Sequence, residues 1–195
     1  MARPKKRRKV LLLEPNYANK FPPIGLMKIA TYYRNLGNWD IVFYKGDLKK
    51  FVIEQIADKC ISELNEFIAN IDWHLKKDVI VEYIRTRKKE HIDILVEGNE
   101  ELRETITPSM IFYKDYYWKN HWKENPEWDR VCVTTLFTFY WDITIETIEF
   151  AKLLVKNKKD LMVGGVLASI QPKEIFNAPA PTAHIAVLQI PGQLD

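Results

Sequence analysis

The sequence predicts an α/β fold: a doubly wound, mostly parallel sheet of five strands with a helical insertion after the second strand. Three observations carry this reading. Short, continuous apolar runs such as Val10-Leu11-Leu12-Leu13 and Ile41-Val42-Phe43-Tyr44 have the pattern of strands covered on both faces. Between those two runs lies a stretch with helical spacing, so the first unit is strand, helix, strand, and its short interval favours a parallel right-handed crossover. After a long helical tract the same alternation resumes and continues toward the end of the chain.

The elements follow in order. Arg3, Lys5, Lys6, Arg7, Arg8 and Lys9 make residues 1–9 a basic tail. The first strand, Val10 to Leu13, runs out into Glu14-Pro15-Asn16-Tyr17. Pro22-Pro23 then opens a helix, because a proline early in a helix lacks only an N–H that would have had no partner. Ile24, Met27, Ile29, Ala30 and Tyr33 line one face of it, and Gly37 stops it. The second strand, Ile41 to Tyr44, ends at Lys45-Gly46-Asp47.

From about residue 48 to 128 the spacing is helical and the segment contains one glycine. Phe51-Val52, Ile56, Cys60, Leu64 and Phe67-Ile68 belong to one helix, and the stretch from Val79 to Glu90 suggests a second. Residues 110–122 are dense in aromatics and are expected to be mainly core, with a ligand lid or a docking face as the other readings. Arg130 to Thr135, rich in β-branched residues, fits a third strand. Asp142 reads as the N-cap of a helix whose face carries Ile145, Ile148, Ala151 and Val155. Asp160 to Val163 is the fourth strand with Gly164-Gly165 as its exit, Pro172 to Phe176 a possible helical turn, and His184 to Leu188 a last strand.

Charge is unevenly placed. The formal net charge is +3, from 29 basic and 26 acidic residues; with the six basic residues of the tail set aside, 23 basic stand against 26 acidic, a net −3. The basic character therefore belongs to the tail, where Pro4-Lys5-Lys6-Arg7-Arg8-Lys9-Val10 resembles a monopartite nuclear-localisation signal and would hold phosphate weakly and without sequence preference. A solvated tail, native or added for expression, is the other reading. No apolar run approaches the roughly 20 residues of a membrane span, and the N-terminus lacks the apolar centre of a secretory signal, so a cytoplasmic chain with no membrane partner is expected. Cys60 and Cys132 are far apart and read as buried thiols.

Several chemistries lack their motifs. The sequence has no Gly-x-x-x-x-Gly-Lys-Ser/Thr, no Gly-x-Gly-x-x-Gly after a candidate strand and no Gly-x-Ser-x-Gly elbow. Glu14 and Asp47, at the ends of neighbouring strands, could pair as acid and base but read first as solvated strand-end carboxylates. His74, His91, His121 and His184 have no metal-ligand spacing.

What remains is a polar rim over an apolar floor. In an open α/β sheet a ligand sits outside the carboxyl ends of the strands. There, Gly164 and Gly165 would let a ligand approach the main chain, and Thr134, Thr135 and Thr138 would supply hydroxyls beside them. Glu14-Pro15-Asn16-Tyr17, Phe21-Pro22-Pro23-Ile24-Gly25-Leu26, Thr134-Thr135-Leu136-Phe137-Thr138 and Val163-Gly164-Gly165 followed by Pro172-Lys173-Glu174 resemble the N-terminal, Rossmann-like cobalamin-binding-type domain of radical SAM proteins. His184 to Leu188 and Pro191 to Asp195 are similar to the segment that joins this domain to the catalytic barrel. The resemblance covers about two thirds of the chain and leaves the insertion unexplained.

The resemblance implies a flavodoxin-like strand order over residues 10–195 and a cobalamin-like cofactor, or a substrate in a degenerate pocket. It would lie over Pro15, Asn16, Tyr17, Thr134, Thr135, Phe137, Thr138, Gly164 and Gly165. The family's Asp-x-His-x-x-Gly motif is missing from the loop after the first strand, so cobalamin would bind without histidine ligation. The Cys-x-x-x-Cys-x-x-Cys run of the iron–sulfur cluster is missing too, so the cluster and S-adenosylmethionine would belong to a C-terminal domain outside this sequence. The expected function is then a ligand-binding or regulatory domain, not catalytic by itself, whose partner is a radical SAM barrel in cis or another protein. The alternative is a stand-alone interaction module that docks a protein through the aromatic insertion or touches nucleic acid through its tail.

Overall fold

A computed structural model describes residues 7–177 and 186–187. The chain opens with β1 (Arg8–Glu14), α1 (Ile24–Leu36) and β2 (Trp39–Lys45). β1 begins at Arg8, two residues before the apolar run, so Arg8 and Lys9 belong to the sheet and not to a tail. Partners of opposite kind draw them in: the Lys9 amide donates to Asp129 at 2.8 Å, the Lys9 ammonium reaches Glu127, and the Arg8 guanidinium lies 4.2 Å above the Trp39 ring. α1 ends as expected, with Gly37 in the left-handed region at φ 71° and its N–H on the Arg34 carbonyl.

The insertion, Leu48–Glu124, is a compact unit of its own. It holds α2 (Leu48–Phe67), α3 (Lys77–Thr86), α4 (Glu90–Val96), α5 (Glu100–Trp118) and α6 (His121–Glu124). The helix expected from Val79 to Glu90 stops at Thr86, where Arg87 turns left-handed at φ 63°, and a new helix starts at Glu90. Trp73, Ile56, Leu64, Ile80, Ile84, Leu95 and Ile106 are fully buried and form the unit's apolar interior. The aromatic segment departs from its expected core role. Of residues 110–122 only Met110 is buried, while Ile111, Phe112 and Trp118 are exposed. Its polar handles are nevertheless engaged: Trp118 Nε1 donates to the Ile84 carbonyl and Tyr113 to the Glu63 carboxylate.

The second unit consists of the residues on either side of the insertion. After Trp128, which bridges to Val155 and so ends the insertion earlier than residue 128, come β3 (Arg130–Thr135), α7 (Trp141–Leu154) and β4 (Leu161–Gly165). α8 (Val166–Ile170), α9 (Pro172–Asn177) and β5 (Ala186–Val187) follow. Asp142 is not the N-cap of α7: the cap is Tyr140, and Asp142 sits in the first turn, where a carboxylate still favours the positive helix end. Val155 lies just past the helix and is extended. The glycine pair is part of β4, not its exit.

All strand pairs are parallel, in the order β2-β1-β3-β4 with β5 beside β4. Four strands have full length, and of the expected fifth the described residues are Ala186 and Val187, which pair with Met162 and Val163. The rest of that expected strand, with His184, and the final Pro191 to Asp195 fall outside the described residues. The architecture is α/β and consistent with a Rossmann-like fold. β1 to β2 steps one way across the sheet and β3 to β4 the other, so right-handed crossovers place α1 and α7 on opposite faces. Leu26 and Tyr33 of α1 pack on Val10, Leu12, Trp39 and Cys132 of the sheet. The intervening residues Leu11, Leu13, Val131, Val133, Leu161 and Val163 are also fully buried, as a sheet covered on both faces requires.

Candidate functional site at the carboxyl edge of the sheet

Because every strand points the same way, the nine expected site residues gather at one edge. Pro15, Asn16 and Tyr17 follow β1, Thr134 and Thr135 end β3, Phe137 and Thr138 lie in the loop to α7, and Gly164 and Gly165 end β4. The crossovers diverge between β1 and β3, which makes that gap the topological switch point, the usual ligand crevice of such sheets.

Tyr17 fills this crevice. Its side chain is buried, its ring packs 4.7 Å from that of Tyr140, and its hydroxyl is 2.6 Å from Thr144 Oγ1. Thr144 in turn donates to the Tyr140 carbonyl, so its hydroxyl proton is engaged and Tyr17 is the donor between them. Burial pushes the Tyr17 phenol above its ordinary pKa, and its hydrogen-bond contacts with Thr144 and the Leu136 backbone only partly offset this. Tyr17 therefore ties the loop after β1 to the first turns of α7.

Thr135 and Gly165 are also spent on the fold. Thr135 is buried and its Oγ1 accepts the Ala168 N–H at 3.0 Å, so a side chain of β3 caps the start of α8. Gly165 pairs with Thr135 in register and has φ 111°, ψ −171°, a region open essentially to glycine alone. On the side where a side chain would stand lies the β3 backbone, with a Cβ 2.2 Å from the Thr135 carbonyl oxygen, although the residue is otherwise exposed.

The residues left to a ligand form the outer rim. Phe137 and Phe139 are 52% and 73% exposed, and their rings stack with centroids 5.5 Å apart and planes 19° from parallel. Thr138, between them in sequence, and Asn16, in the loop after β1, are exposed, while Thr134 and Gly164 are partly covered.

A further constellation lies at the ends of β1 and β2. Glu14 and Lys45 stand opposite each other in register, and Lys45 Nζ reaches Glu14 Oε1 at 3.1 Å, the Asn19 carbonyl at 3.0 Å and Asn19 Oδ1 at 2.6 Å. The Glu14 carboxylate is therefore committed to Lys45 and not to Asp47, which is exposed. A cavity of about 380 Å³ opens beside this pair under the loop that leads into α1. The signal was present in the sequence as two strands ending in opposite charges, but only the register made them partners.

His74, His91 and His121 lie in the insertion unit, away from the strand ends of the sheet unit in sequence. Among the described residues no cluster of three or more His, Cys, Asp or Glu side chains could hold a metal ion, and no helix is long and apolar enough to cross a membrane. Cys60 and Cys132 are free and buried, and burial pushes each thiol up to about 12. No family model, no curated protein and no solved structure matches this chain.

Proposed function

We propose that this chain is a small-molecule-binding or regulatory domain of flavodoxin-like order, with a cobalamin-like ring system or a substrate in a degenerate pocket as its ligand. The observation that carries the reading is the stacked, exposed Phe137–Phe139 pair at the rim of the switch point. Two large apolar rings turned to water at the ligand edge of a parallel sheet favour a flat apolar partner. Because Tyr17 fills the crevice, a corrinoid would lie across the rim on Phe137 and Phe139 near Asn16, Thr138 and Gly164, without a histidine beneath its metal. Bound there, the group would bring its own cobalt chemistry, and the chain's residues would hold and orient it. Iron–sulfur and S-adenosylmethionine chemistry belongs, on this reading, to a radical SAM barrel working with this domain.

The test is a cobalamin titration of the full chain followed by the visible spectrum. Wild type is expected to bind, and a Phe137→Ala/Phe139→Ala double variant to bind about tenfold more weakly while melting like wild type, since both side chains are exposed. Absence of a spectral change at about 300 μM would remove cobalamin as the ligand.

The exposed Ile111, Phe112 and Trp118 on α5 favour a second reading, a protein-interaction module docking through the insertion. Nucleic-acid contact through the basic run is a weaker part of that reading, because Arg7 pairs with Asp40 and Lys9 with Glu127.

A further inference from the structure

We infer that the cavity at the carboxyl ends of β1 and β2 is a separate small-molecule site, which takes a neutral, flat, mainly apolar molecule bearing an N–H or O–H donor. Its walls are Phe21, Pro22, Pro23, Met27 and Phe43. Three of these are large and remain open to water, with Phe43 48% exposed. Large apolar side chains gathered in contact with solvent around one hollow form a ligand surface, and a volume of about 380 Å³ is at the small end of ligand pockets.

The polar floor decides the class of ligand. All three N–H groups of the Lys45 ammonium have acceptors, at Glu14 Oε1, the Asn19 carbonyl and Asn19 Oδ1. An anion would therefore find no spare donor there and would face the Glu14 carboxylate, whose side chain is only 2% exposed. A cation would meet the Lys45 charge. The Glu14–Lys45 pair is neutral as a unit, and the ion pair runs through Oε1 of a carboxylate that accepts at about four positions. A neutral N–H or O–H donor is what this floor can add, as a charge-assisted hydrogen bond. Lys20 also lines the cavity, but it is exposed, where water and salt screen its charge.

Titration of the ¹⁵N-labelled full chain with four related probes tests this: indole, 1-methylindole, indole-3-acetate and tryptamine. Indole is expected to shift the amide resonances of Gly25, Phe43 and Lys45 with a Kd of about 1 mM or tighter, and 1-methylindole, which lacks the donor, to bind about tenfold more weakly. The anionic and cationic probes are expected to bind more weakly than indole. Phe43→Ala, with Met27→Ala as the second variant, should lower indole affinity and leave the melting temperature near that of wild type. The inference is overturned if indole shifts none of these amides, if 1-methylindole or either charged probe binds as tightly as indole, or if both folded variants bind indole like wild type.

Discussion

A Cβ placed on Gly165 would lie 2.2 Å from the Thr135 carbonyl oxygen and 2.8 Å from its amide nitrogen. Both neighbours are backbone atoms of a central strand, so neither can rotate away. The φ of 111° adds strain for any other residue. Gly165→Ala is therefore expected to lower stability by about 3 kcal/mol, read from the urea midpoint. A variant that melted like wild type but lost cobalamin binding would return Gly165 to the role of a ligand approach.

The Tyr17–Thr144 hydrogen bond sets the second expectation. Tyr17→Phe keeps the ring against Tyr140 and removes only the hydroxyl, and Thr144 still has the Tyr140 carbonyl to bond. The loss should be about 1 kcal/mol. Its pH dependence has a definite sign: the folded phenol is raised above the unfolded value. The advantage of wild type is complete below about pH 10 and shrinks as pH rises through the folded pKa. Urea melts of both proteins at neutral and strongly alkaline pH measure this directly, and a gap that widens with alkalinity would contradict it.

The sheet was legible in the sequence because its inner strands are covered on both faces and so appear as unbroken apolar runs, although the edge strand β2, read the same way, leaves Phe43 exposed. Val10 to Leu13 is the clearest case, and the helix between Pro23 and Gly37 carried both of its end signals. The start of β1 was hidden, since Arg8 and Lys9 are paired by residues more than thirty and a hundred positions away. The site divided in the same way. Strand direction placed all nine residues at one edge, which needs only the order of elements, but whether each faces a ligand depends on side-chain partners. Thus Tyr17 turned inward to Thr144 and Thr135 to α8, contacts that no local pattern announces.

Cys60 and Cys132 should resist thiol reagents in the folded chain. Burial withholds them from the reagent, and with each thiol pushed up to about 12 almost no thiolate exists at pH 8. A colorimetric disulfide reagent is expected to titrate neither cysteine until denaturant is added, and both thereafter. Rapid reaction of either thiol in the native protein would mean that its helix or strand opens far more readily than its burial implies.

Two truncations separate the tail from the strand. A chain starting at Arg7 keeps the Arg7–Asp40 pair, the Arg8 contact with Trp39 and the bond from the Lys9 amide to Asp129. A chain starting at Val10 loses all three, and should be less stable by about 2 kcal/mol. Equal melting temperatures would show that β1 draws nothing from its first two residues.

Asp129 gives the last expectation, on the acid side. Partial burial opposes its ionisation, but hydrogen bonds from the Lys156 ammonium and the Lys9 amide, with the charges of Lys156 and Arg8, outweigh that and hold the carboxyl below its usual range. A folded pKa below the unfolded one means the carboxylate stabilises the fold above about pH 4, and that contribution drains away as pH falls through the depressed value. Asp129→Asn should therefore melt below wild type at pH 7 and converge on it in strong acid. The double variant Asp129→Asn/Lys156→Met tests the cause, because removing the ammonium as well should cost less than the two single changes together. If the gap between wild type and Asp129→Asn stays constant from neutral to strongly acidic pH, the carboxylate's charge contributes nothing, and the role of Asp129 reduces to accepting the Lys9 amide.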